Sequence, residues 1–305
     1  MAIKTVALIG ANGHLGPSIL SALLSSSLKT SILSRQSSKS TYPANVPIIT
    51  IPDDLPTDAL IPALRGQDAL VITMAGSRVA EQKRLIEAAW HAGVKRIIPA
   101  EFGSCDSADE KTLQLLPLME GKRQVREFLK EWCAKPRSQD VGPLTWTALV
   151  TGHFFDYGLK CDLLKLDVRK RKAVLVDGGE IPFSATNLAT IGRAVVKVLV
   201  EREEETKDRL LYIQSLRVTQ KEVLEALERA MGAKWVVEER SSEELIAEAR
   251  PKMLEGDAEA LEEVVAVHGV VASDWKGKED FANELLGLEE EDLNEIVKGV
   301  VKELS

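Results

Sequence analysis

Long apolar runs, paired cysteines and an excess of basic residues are all missing from this sequence. No run approaches the ~20 apolar residues that cross a bilayer, and no charged start leads into an apolar signal core. We therefore expect a soluble cytoplasmic protein without a membrane partner. Cys105, Cys133 and Cys161 are too few and too widely spaced for a disulfide framework or a zinc site. We expect reduced, buried thiols and no bound metal.

The charge balance and the length narrow the function classes further. A formal net charge of −8 argues against nucleic acid as a partner, because phosphate binding needs a basic face. The 305 residues, of which 45% are hydrophobic, provide enough chain for a large α/β domain with an appended lobe. No internal repeat or low-complexity linker divides the chain. The oligomeric state stays open, and a homodimer is one of the alternatives.

The strongest local signal lies in the first seventeen residues. A β-rich run at 6–9 leads into Gly10, Gly13 and Gly16, and apolar residues at helical spacing follow. A strand, a tight turn and a helix start predict a cradle for a dinucleotide pyrophosphate, in which the helix N-terminus attracts the anion. Pro17 is compatible with the first helical turn. The spacing is G-x-x-G-x-x-G rather than G-x-G-x-x-G, and a purely structural turn is the alternative.

The second predicted strand ends in basic residues. In dinucleotide-binding folds an acid at this point binds the ribose hydroxyls of NAD, whereas a cation pairs with the 2′-phosphate of NADP. This chain has Arg35 and then Lys39 with no acid between them, and Ser37 or Ser38 can donate a hydroxyl. The pattern favours NADP(H) over NAD(H). An exposed basic loop without a ligand is the alternative.

Strands and helices alternate through the first half of the chain. Further strands are predicted at 46–51, 68–74, 96–99 and 144–150, and helices at 57–64, 80–91 and 118–132. Repeated βαβ units predict an α/β fold with a Rossmann-type, doubly wound parallel sheet, whose ligand lies across the carboxyl ends of its strands. We expect an NADP-binding domain at 1–155, to which 185–215 return, and a smaller α+β substrate lobe at 156–305.

The second half is predicted to contain short strands and several helices. Strands at 174–176 and 181–183, joined by a glycine turn, suggest a hairpin. Thr219 and Glu222 form a capping-box pattern before a helix at 220–231. The composition becomes acidic after residue 241, and helices are expected near Leu245, at 261–267 and at 285–301. The acidic run 289–292 predicts a solvated helix face or first turn.

Four stretches occur in the order of a known family. They are the glycine loop at 10–16, the basic pair Arg35 and Lys39, the segment 92–103 ending in Pro-Ala-Glu-Phe-Gly, and Lys122 in Gly-Lys-Arg-Gln-Val-Arg. The sequence resembles the NmrA-like atypical short-chain dehydrogenases. It is most similar to the isoflavone reductase and phenylcoumaran benzylic ether reductase group and its fungal relatives. The similarity runs from Thr5 to about Ile213.

The resemblance implies NADP(H) binding, secondary metabolism and a set of site residues. The residues it places at the cofactor are Gly10, Asn12, Gly13, His14, Leu15, Gly16, Arg35, Lys39, Thr73, Met74, Ala75, Phe102, Lys122 and Phe154. It further implies that Lys122 is the catalytic acid/base near the nicotinamide. Two positions depart from the plant members, which have serine in place of Ala100 and asparagine in place of His153. The second change puts the plant substrates in doubt.

The tyrosine positions indicate that a residue other than tyrosine supplies the catalytic proton. Ordinary short-chain dehydrogenases place Tyr and Lys four apart, but none of Tyr42, Tyr157 and Tyr212 is followed by lysine at that spacing. A reductase must still supply a proton to balance the hydride. Lys122 can do so if partial desolvation lowers its pKa, although its spacing alone fits a solvated helix lysine.

His153 is the second catalytic candidate. It follows the strand at 145–151, at a carboxyl end where a ligand is expected. There it can be a proton donor, an orienting group, a pocket wall or a neutral histidine bonded to backbone. The neighbouring Phe154, Phe155 and Tyr157 are predicted to line the pocket or the core.

Two functions remain. The first is an NADPH-dependent reductase that transfers hydride to a C=C, C=O or benzylic carbon of an aromatic or polyketide-like small molecule. The second is a non-catalytic NADP(H) sensor that binds a protein partner. Lys122 favours the enzyme, because the regulatory type as a rule lacks lysine there.

Overall fold

The computed structural model describes residues 2–304, so that Met1 and Ser305, the outer ends of the two predicted domains, lie outside the described residues. The chain forms two compact units, each built from three segments. Within the described residues, the first unit comprises 2–102, Pro117–Leu149 and Ile191–Leu211, and the second comprises Gly103–Leu116, Val150–Thr190 and 212–304. The cofactor and substrate roles of these units stay predictions.

The strands and helices follow one another in this order. They are β1 (Thr5–Ile9), α1 (Gly16–Leu24), β2 (Lys29–Arg35), β3 (Ile48–Ile51), α2 (Thr57–Leu64), β4 (Ala69–Ile72), α3 (Val79–Ala92), β5 (Arg96–Ile98), α4 (Glu110–Leu115), α5 (Pro117–Cys133), β6 (Thr145–Val150), β7 (His153–Phe154), α6 (Phe155–Lys160), β8 (Leu166–Asp167), β9 (Lys172–Val176), a 3₁₀ turn (Asp177–Gly179), β10 (Phe183–Thr186), α7 (Leu188–Val200), β11 (Arg209–Tyr212), β12 (Leu216–Val218), α8 (Gln220–Met231), β13 (Val236–Arg240), α9 (Ser242–Leu254), α10 (Ala258–Ala272), α11 (Asn283–Leu286) and α12 (Leu293–Leu304).

The first unit is organised by a seven-stranded sheet in the order β11-β6-β5-β4-β1-β2-β3. The strands from β6 to β3 are parallel, and Ile9 of β1 lies between Leu33 of β2 and Ile72 of β4. Buried apolar residues fill β1 and β4, as expected where helices cover both faces of a sheet. This strand order is that of the doubly wound fold, and the predicted fold class is confirmed.

The second unit has an α+β composition, as predicted. It contains two three-stranded sheets, β12-β10-β7 and β13-β9-β8. Phe155 and Phe183 are fully buried in an apolar core that continues through α8 and α12. The predicted capping box is present, because the Thr219 side chain accepts from the amide of Glu222 while the Glu222 side chain accepts from the amide of Thr219.

The hairpin predicted around the glycine turn is wrong. β9 pairs with β8 and, over residues distant in sequence, with β13. β10 belongs to the other sheet, where it pairs with β7 and β12. Gly178 and Gly179 have φ of +79° and +71° within the intervening 3₁₀ turn. The chain therefore leaves one sheet for the other instead of folding back on itself.

The helix predicted at 285–301 is interrupted, and its acidic run is not a solvated helix face. Gly287, in the left-handed region at φ +57°, ends α11. Asp292 does cap α12 by accepting from the amides of residues 294 and 295. Glu290 is exposed and accepts from the Gln214 side chain, whereas the half-buried Glu291 accepts from buried groups of Asn187, Thr190 and Ser215. The buried donor groups need hydrogen-bond acceptors, and this need explains why Glu291 does not lie on a solvated helix face.

The cysteines are only partly as predicted. Cys105 is buried and Cys133 is half-buried, but Cys161 is exposed. In the described part of the chain no disulfide joins them. Burial raises the pKa of the Cys133 thiol to about 12, and this thiol is therefore unreactive at neutral pH.

Candidate active site

The glycine loop between β1 and α1 is shaped by contacts that exclude any side chain. Gly10 has φ +87°, and a Cβ there would lie 2.6 Å from Oγ1 of Thr73. A Cβ on Gly16 would lie 2.2 Å from the carbonyl oxygen of Gly10. Thr73 fixes the same turn from β4, because its hydroxyl donates to the carbonyl of Ile9 at 2.8 Å. The loop is a backbone cradle in front of a helix start.

The start of α1 is not capped by a side chain. Leu15 occupies the N-cap position without a side-chain hydrogen bond, and Pro17 is in the first turn as predicted. The first amides of a helix attract anions through unpaired N–H groups and the helix dipole. His14 is exposed beside this loop. The fit to a pyrophosphate is therefore good, since backbone atoms approach where side chains are sterically excluded.

A pocket of about 250 Å³ lies against the cradle, entirely within the first unit. Seven predicted cofactor contacts line it: Gly10, Asn12, Gly13, Arg35, Thr73, Met74 and Ala75. Its remaining lining residues are Ile9, Leu33, Ser34, Ser38, Tyr42, Asp53, Leu55, Arg78 and Glu81. The predicted contacts His14, Leu15, Gly16, Lys39, Phe102 and Lys122 are in the same unit but outside this lining.

The pocket lining contains both a cation and an acid. Arg35 ends β2 and is exposed, and Asp53 lines the same pocket. The Ser37 hydroxyl donates to Asp53 at 2.6 Å and the Ser37 amide donates to it at 3.1 Å. These hydrogen bonds, with Arg35 nearby, hold the pKa of Asp53 below its ordinary value. Arg35 in the pocket lining is therefore available to bind a phosphate. The loop after β2 is held in place by the hydrogen bonds from Ser37 to Asp53.

The loop after β2 is also tied to the glycine loop. Nδ2 of Asn12 donates to the hydroxyl of Ser40 at 2.6 Å. Sequence reasoning missed Asp53, Tyr42 and Arg78 because it considered only the residue after the second strand. The strand order could have indicated Asp53, since β2 and β3 are parallel neighbours whose carboxyl ends meet at one edge.

Lys122 lies on α5 and reaches the loop that follows β5. Its Nζ donates to the carbonyl oxygens of Glu101 at 3.1 Å and Phe102 at 2.9 Å. Its stem passes Gly76, where a Cβ would lie 3.1 Å from Cε of Lys122. Gly76 follows the pocket-lining residues Thr73 to Ala75 directly in sequence. Lys122 is thus half-buried and its amine is held by backbone carbonyls, unlike the amine of a solvated helix lysine.

His153 and Phe154 belong to the second unit. The His153 ring is 2% exposed, and its Nε2 donates to the carbonyl of Ala266 at 3.2 Å. Burial lowers the pKa of His153 to about 4, against the opposing effect of that hydrogen bond. The imidazole is therefore neutral at neutral pH. Phe154 is half-buried at the N-cap of α6, and its contact with the cofactor stays a prediction.

A second buried histidine was missed. Nε2 of His268 lies 2.9 Å from the Thr112 hydroxyl, which donates in turn to Asp109 at 2.8 Å. The hydroxyl must accept from His268, which places the ring proton on Nε2. Burial lowers the pKa of His268. The sequence around His268 consists of apolar residues of α10, which predict a position in the core and give no sign of a functional site.

Within residues 2–304, no cluster of three or more His, Cys, Asp or Glu side chains could hold a metal ion. Among the same residues, no helix is long and apolar enough to cross a membrane.

A family profile and a sequence relative both match nearly the whole chain. The NmrA-like family profile matches residues 2–296. The oxidoreductase aprR of Aspergillus flavus is 33% identical over 308 residues, covering 99% of this chain and 100% of aprR.

Solved structures with bound NADP⁺ or NADPH have the same fold. AtPrR2 with NADP⁺ and (+)pinoresinol superposes with a TM-score of 0.77 at 18% identity, over 98% of this chain and 99% of AtPrR2. The binary complex of leucoanthocyanidin reductase with NADPH from Vitis vinifera also has a TM-score of 0.77 at 18% identity, over 98% of this chain and 100% of the reductase. At this identity the likeness establishes the fold alone.

Proposed function

The chain belongs to the NmrA-like family, and on that premise we propose that it is an NADPH-dependent reductase of the isoflavone reductase-like group. Its substrate is an aromatic or polyketide-like small molecule, reduced at a C=C, C=O or benzylic carbon. The observation that carries this proposal is the placement of Lys122, held by two backbone carbonyls beside the loop that lines the pocket.

The pocket supports the choice of NADP(H). Gly10, Gly13 and Gly16 form a backbone cradle for the pyrophosphate, and Arg35 is available for the 2′-phosphate. The relative aprR is named an oxidoreductase, and the two solved structures contain NADP⁺ or NADPH. When bound, NADPH supplies the hydride.

Lys122 is proposed to supply the matching proton. Its ammonium lies where two carbonyl oxygens hold it, so it is oriented before substrate arrives. A general acid at a fixed position contributes roughly 10²–10⁴-fold to a rate. His153, which is buried and neutral, is the second candidate for the proton donor. For this role its Nε2–H must leave the carbonyl of Ala266.

The test is a titration of the purified protein with NADPH and NADH, followed by a substrate panel. The panel contains aromatic enones, ketones and benzylic ethers, (+)pinoresinol among them, and loss of the nicotinamide absorbance is recorded. We expect tighter binding of NADPH and turnover of at least one compound class. Tight NADPH binding without turnover across the panel would favour the non-catalytic sensor. Absence of NADPH binding would contradict both functions.

A further inference from the structure

The loop at 36–40 follows Arg35 and contains Lys39, the two cations expected to bind the 2′-phosphate. Its sequence is Gln-Ser-Ser-Lys-Ser, it has no strand or helix, and Ser37 and Lys39 are exposed. Ordering a polar loop of this kind costs conformational entropy, and a ligand that must order it binds more weakly. A phosphate site built on this loop therefore depends on contacts that hold the loop in place.

The first half of the loop is attached to the end of β3. Oδ1 of Asp53 accepts from the Ser37 hydroxyl at 2.6 Å and from the Ser37 amide at 3.1 Å. The Gln36 amide donates to the carbonyl of Ile51 at 2.9 Å. Because an ionised acceptor strengthens a hydrogen bond, the two bonds to Asp53 are a firm attachment for an exposed loop.

The far end of the loop is attached to the glycine loop. Nδ2 of Asn12 donates to the Ser40 hydroxyl at 2.6 Å. Within the loop the Ser40 amide donates to the Ser38 hydroxyl at 3.3 Å, and the Ser38 amide donates to the carbonyl of Arg35 at 3.0 Å. All of these residues belong to the first unit. The loop is therefore fixed at both ends, between β3 and the pyrophosphate cradle.

The charge of Asp53 limits the roles that its carboxylate can have. Asp53 and Arg35 line the same pocket, and a carboxylate close to a bound phosphate would repel it. An acid in such a pocket can instead accept from the ribose hydroxyls of NAD. Here, however, Oδ1 already accepts twice from Ser37. These bonds favour a role in holding the loop and explain why an acid is present beside Arg35.

We propose that Asp53 is a positioning residue for NADPH selectivity, because it holds the loop 36–40 in the arrangement that binds the 2′-phosphate. Asn12 supports the same loop through Ser40. The proposal rests on the proposed function through its NADP(H) site. It assigns to Asp53 and Asn12 the holding of the loop, and it leaves the phosphate contact itself to Arg35. It can be tested by nucleotide binding without a substrate.

The test compares Asp53→Ala with Asp53→Asn. Both substitutions remove the charge, but only asparagine keeps an oxygen that can accept from Ser37. We expect Asp53→Ala to bind adenosine 2′,5′-bisphosphate roughly tenfold more weakly than Asp53→Asn. Binding of adenosine 5′-monophosphate, which lacks the 2′-phosphate, should differ by less than about twofold between the two variants. Asp53→Asn should bind the bisphosphate at least as tightly as the wild type, because a repelling charge is gone.

Two further substitutions separate the loop attachment from general stability. Ser37→Ala removes one of the two bonds to Asp53 and should cause a smaller loss, again selective for the bisphosphate. In an Arg35→Ala background, Asp53→Ala should have little further effect, because the loop then no longer presents Arg35 to the phosphate. A substitution that only destabilised the fold would not depend on Arg35 in this way.

The measurement is isothermal titration calorimetry with both nucleotides at one ionic strength, because contacts between charges weaken with salt. NADPH and NADH are titrated in parallel. Asp54→Ala is the matched control, since the Asp54 side chain is exposed and Arg84 contacts only its backbone carbonyl. This control should leave the affinities for both nucleotides unchanged.

A loss of bisphosphate affinity in Asp53→Ala that Asp53→Asn does not show would support the proposal. Equal affinities of the two variants, or equal losses for both nucleotides, would overturn it. Weaker binding of the monophosphate by Asp53→Asn would also overturn it, because the carboxylate would then contact the ribose. The proposed reductase fails by a different result, namely tight NADPH binding without turnover, and that result does not alter the nucleotide comparison.

Discussion

The imidazole of His153 fills the space that a side chain at position 269 would need. A Cβ on Gly269 would lie 2.1 Å from Nε2 of His153. Glycine inside a helix is unfavourable by roughly 0.5–1 kcal/mol relative to alanine, yet it lies within α10. Packing against the histidine ring explains this glycine, because α10 can then lie directly on β7.

Gly269→Ala should therefore destabilise the protein in spite of its better helix propensity. We expect a loss of about 1–3 kcal/mol in the free energy of unfolding, since the added methyl must displace a buried ring. Urea unfolding measures it. In a His153→Ala background the same substitution should cost less, because the ring is gone. A stabilised Gly269→Ala protein would contradict this packing.

Stability should fall in acid because His153 must remain neutral in its buried site. The pKa of His153 is lowered to about 4 by burial, whereas an unfolded histidine titrates near 6.5. The unfolded chain therefore binds the proton first. The stabilisation is complete above pH 6.5 and falls towards pH 4, by up to about 1.4 kcal/mol per pH unit.

The comparison of His153→Gln with the exposed control His14→Gln checks this expectation. Removing His153 should reduce the loss of unfolding free energy between pH 6.5 and 4, whereas removing His14 should not. Histidine NMR provides a second readout. An His153 imidazole that titrates near pH 6.5 in the folded protein is incompatible with the account.

The cradle should not tolerate a side chain at Gly16. A Cβ there would lie 2.2 Å from the carbonyl oxygen of Gly10 and 2.5 Å from the carbonyl carbon of Ala11. Gly16→Ala must deform the loop and should weaken NADPH binding by more than roughly tenfold. Gly299→Ala is the control, because nothing lies near its Cβ in α12. Unchanged NADPH affinity in Gly16→Ala would remove the loop from the site.

Arg35 should discriminate between the two nicotinamide cofactors. If it binds the 2′-phosphate, Arg35→Ala loses a charge-assisted contact worth about 1.5–3 kcal/mol with NADPH and little with NADH. This corresponds to a roughly ten- to hundredfold selective loss of affinity. The exposed Arg65 provides a control substitution in the same unit. Equal losses for both cofactors would argue against the phosphate contact.

Local sequence signals predicted the first strand, its glycine turn and several helix ends. The run into Gly10 specified β1, the turn and the start of α1. Gly93, with φ +86°, ends α3 as predicted. Thr219 and Glu222 form the capping box of α8. Each of these features is signalled by residues within a few positions of one another, so it can be recognised from the sequence alone.

Pairings between distant residues could not be predicted in this way. One partner of β9 is β13, some sixty residues later, and no local pattern selects it over a hairpin with β10. Glu291 is bound by Asn187, whose need for an acceptor appears only after folding. The same holds for Gly269 against His153 and for Arg126 against Glu101.

The most direct test of the account is Lys122→Met, studied by turnover and by NADPH titration together. Lys130→Met, a change of the same kind at an exposed position of α5, is the control. We predict that Lys122→Met lowers turnover by at least roughly 10²-fold and leaves NADPH affinity within about twofold. Wild-type turnover in Lys122→Met would contradict the assignment of Lys122 as the proton donor.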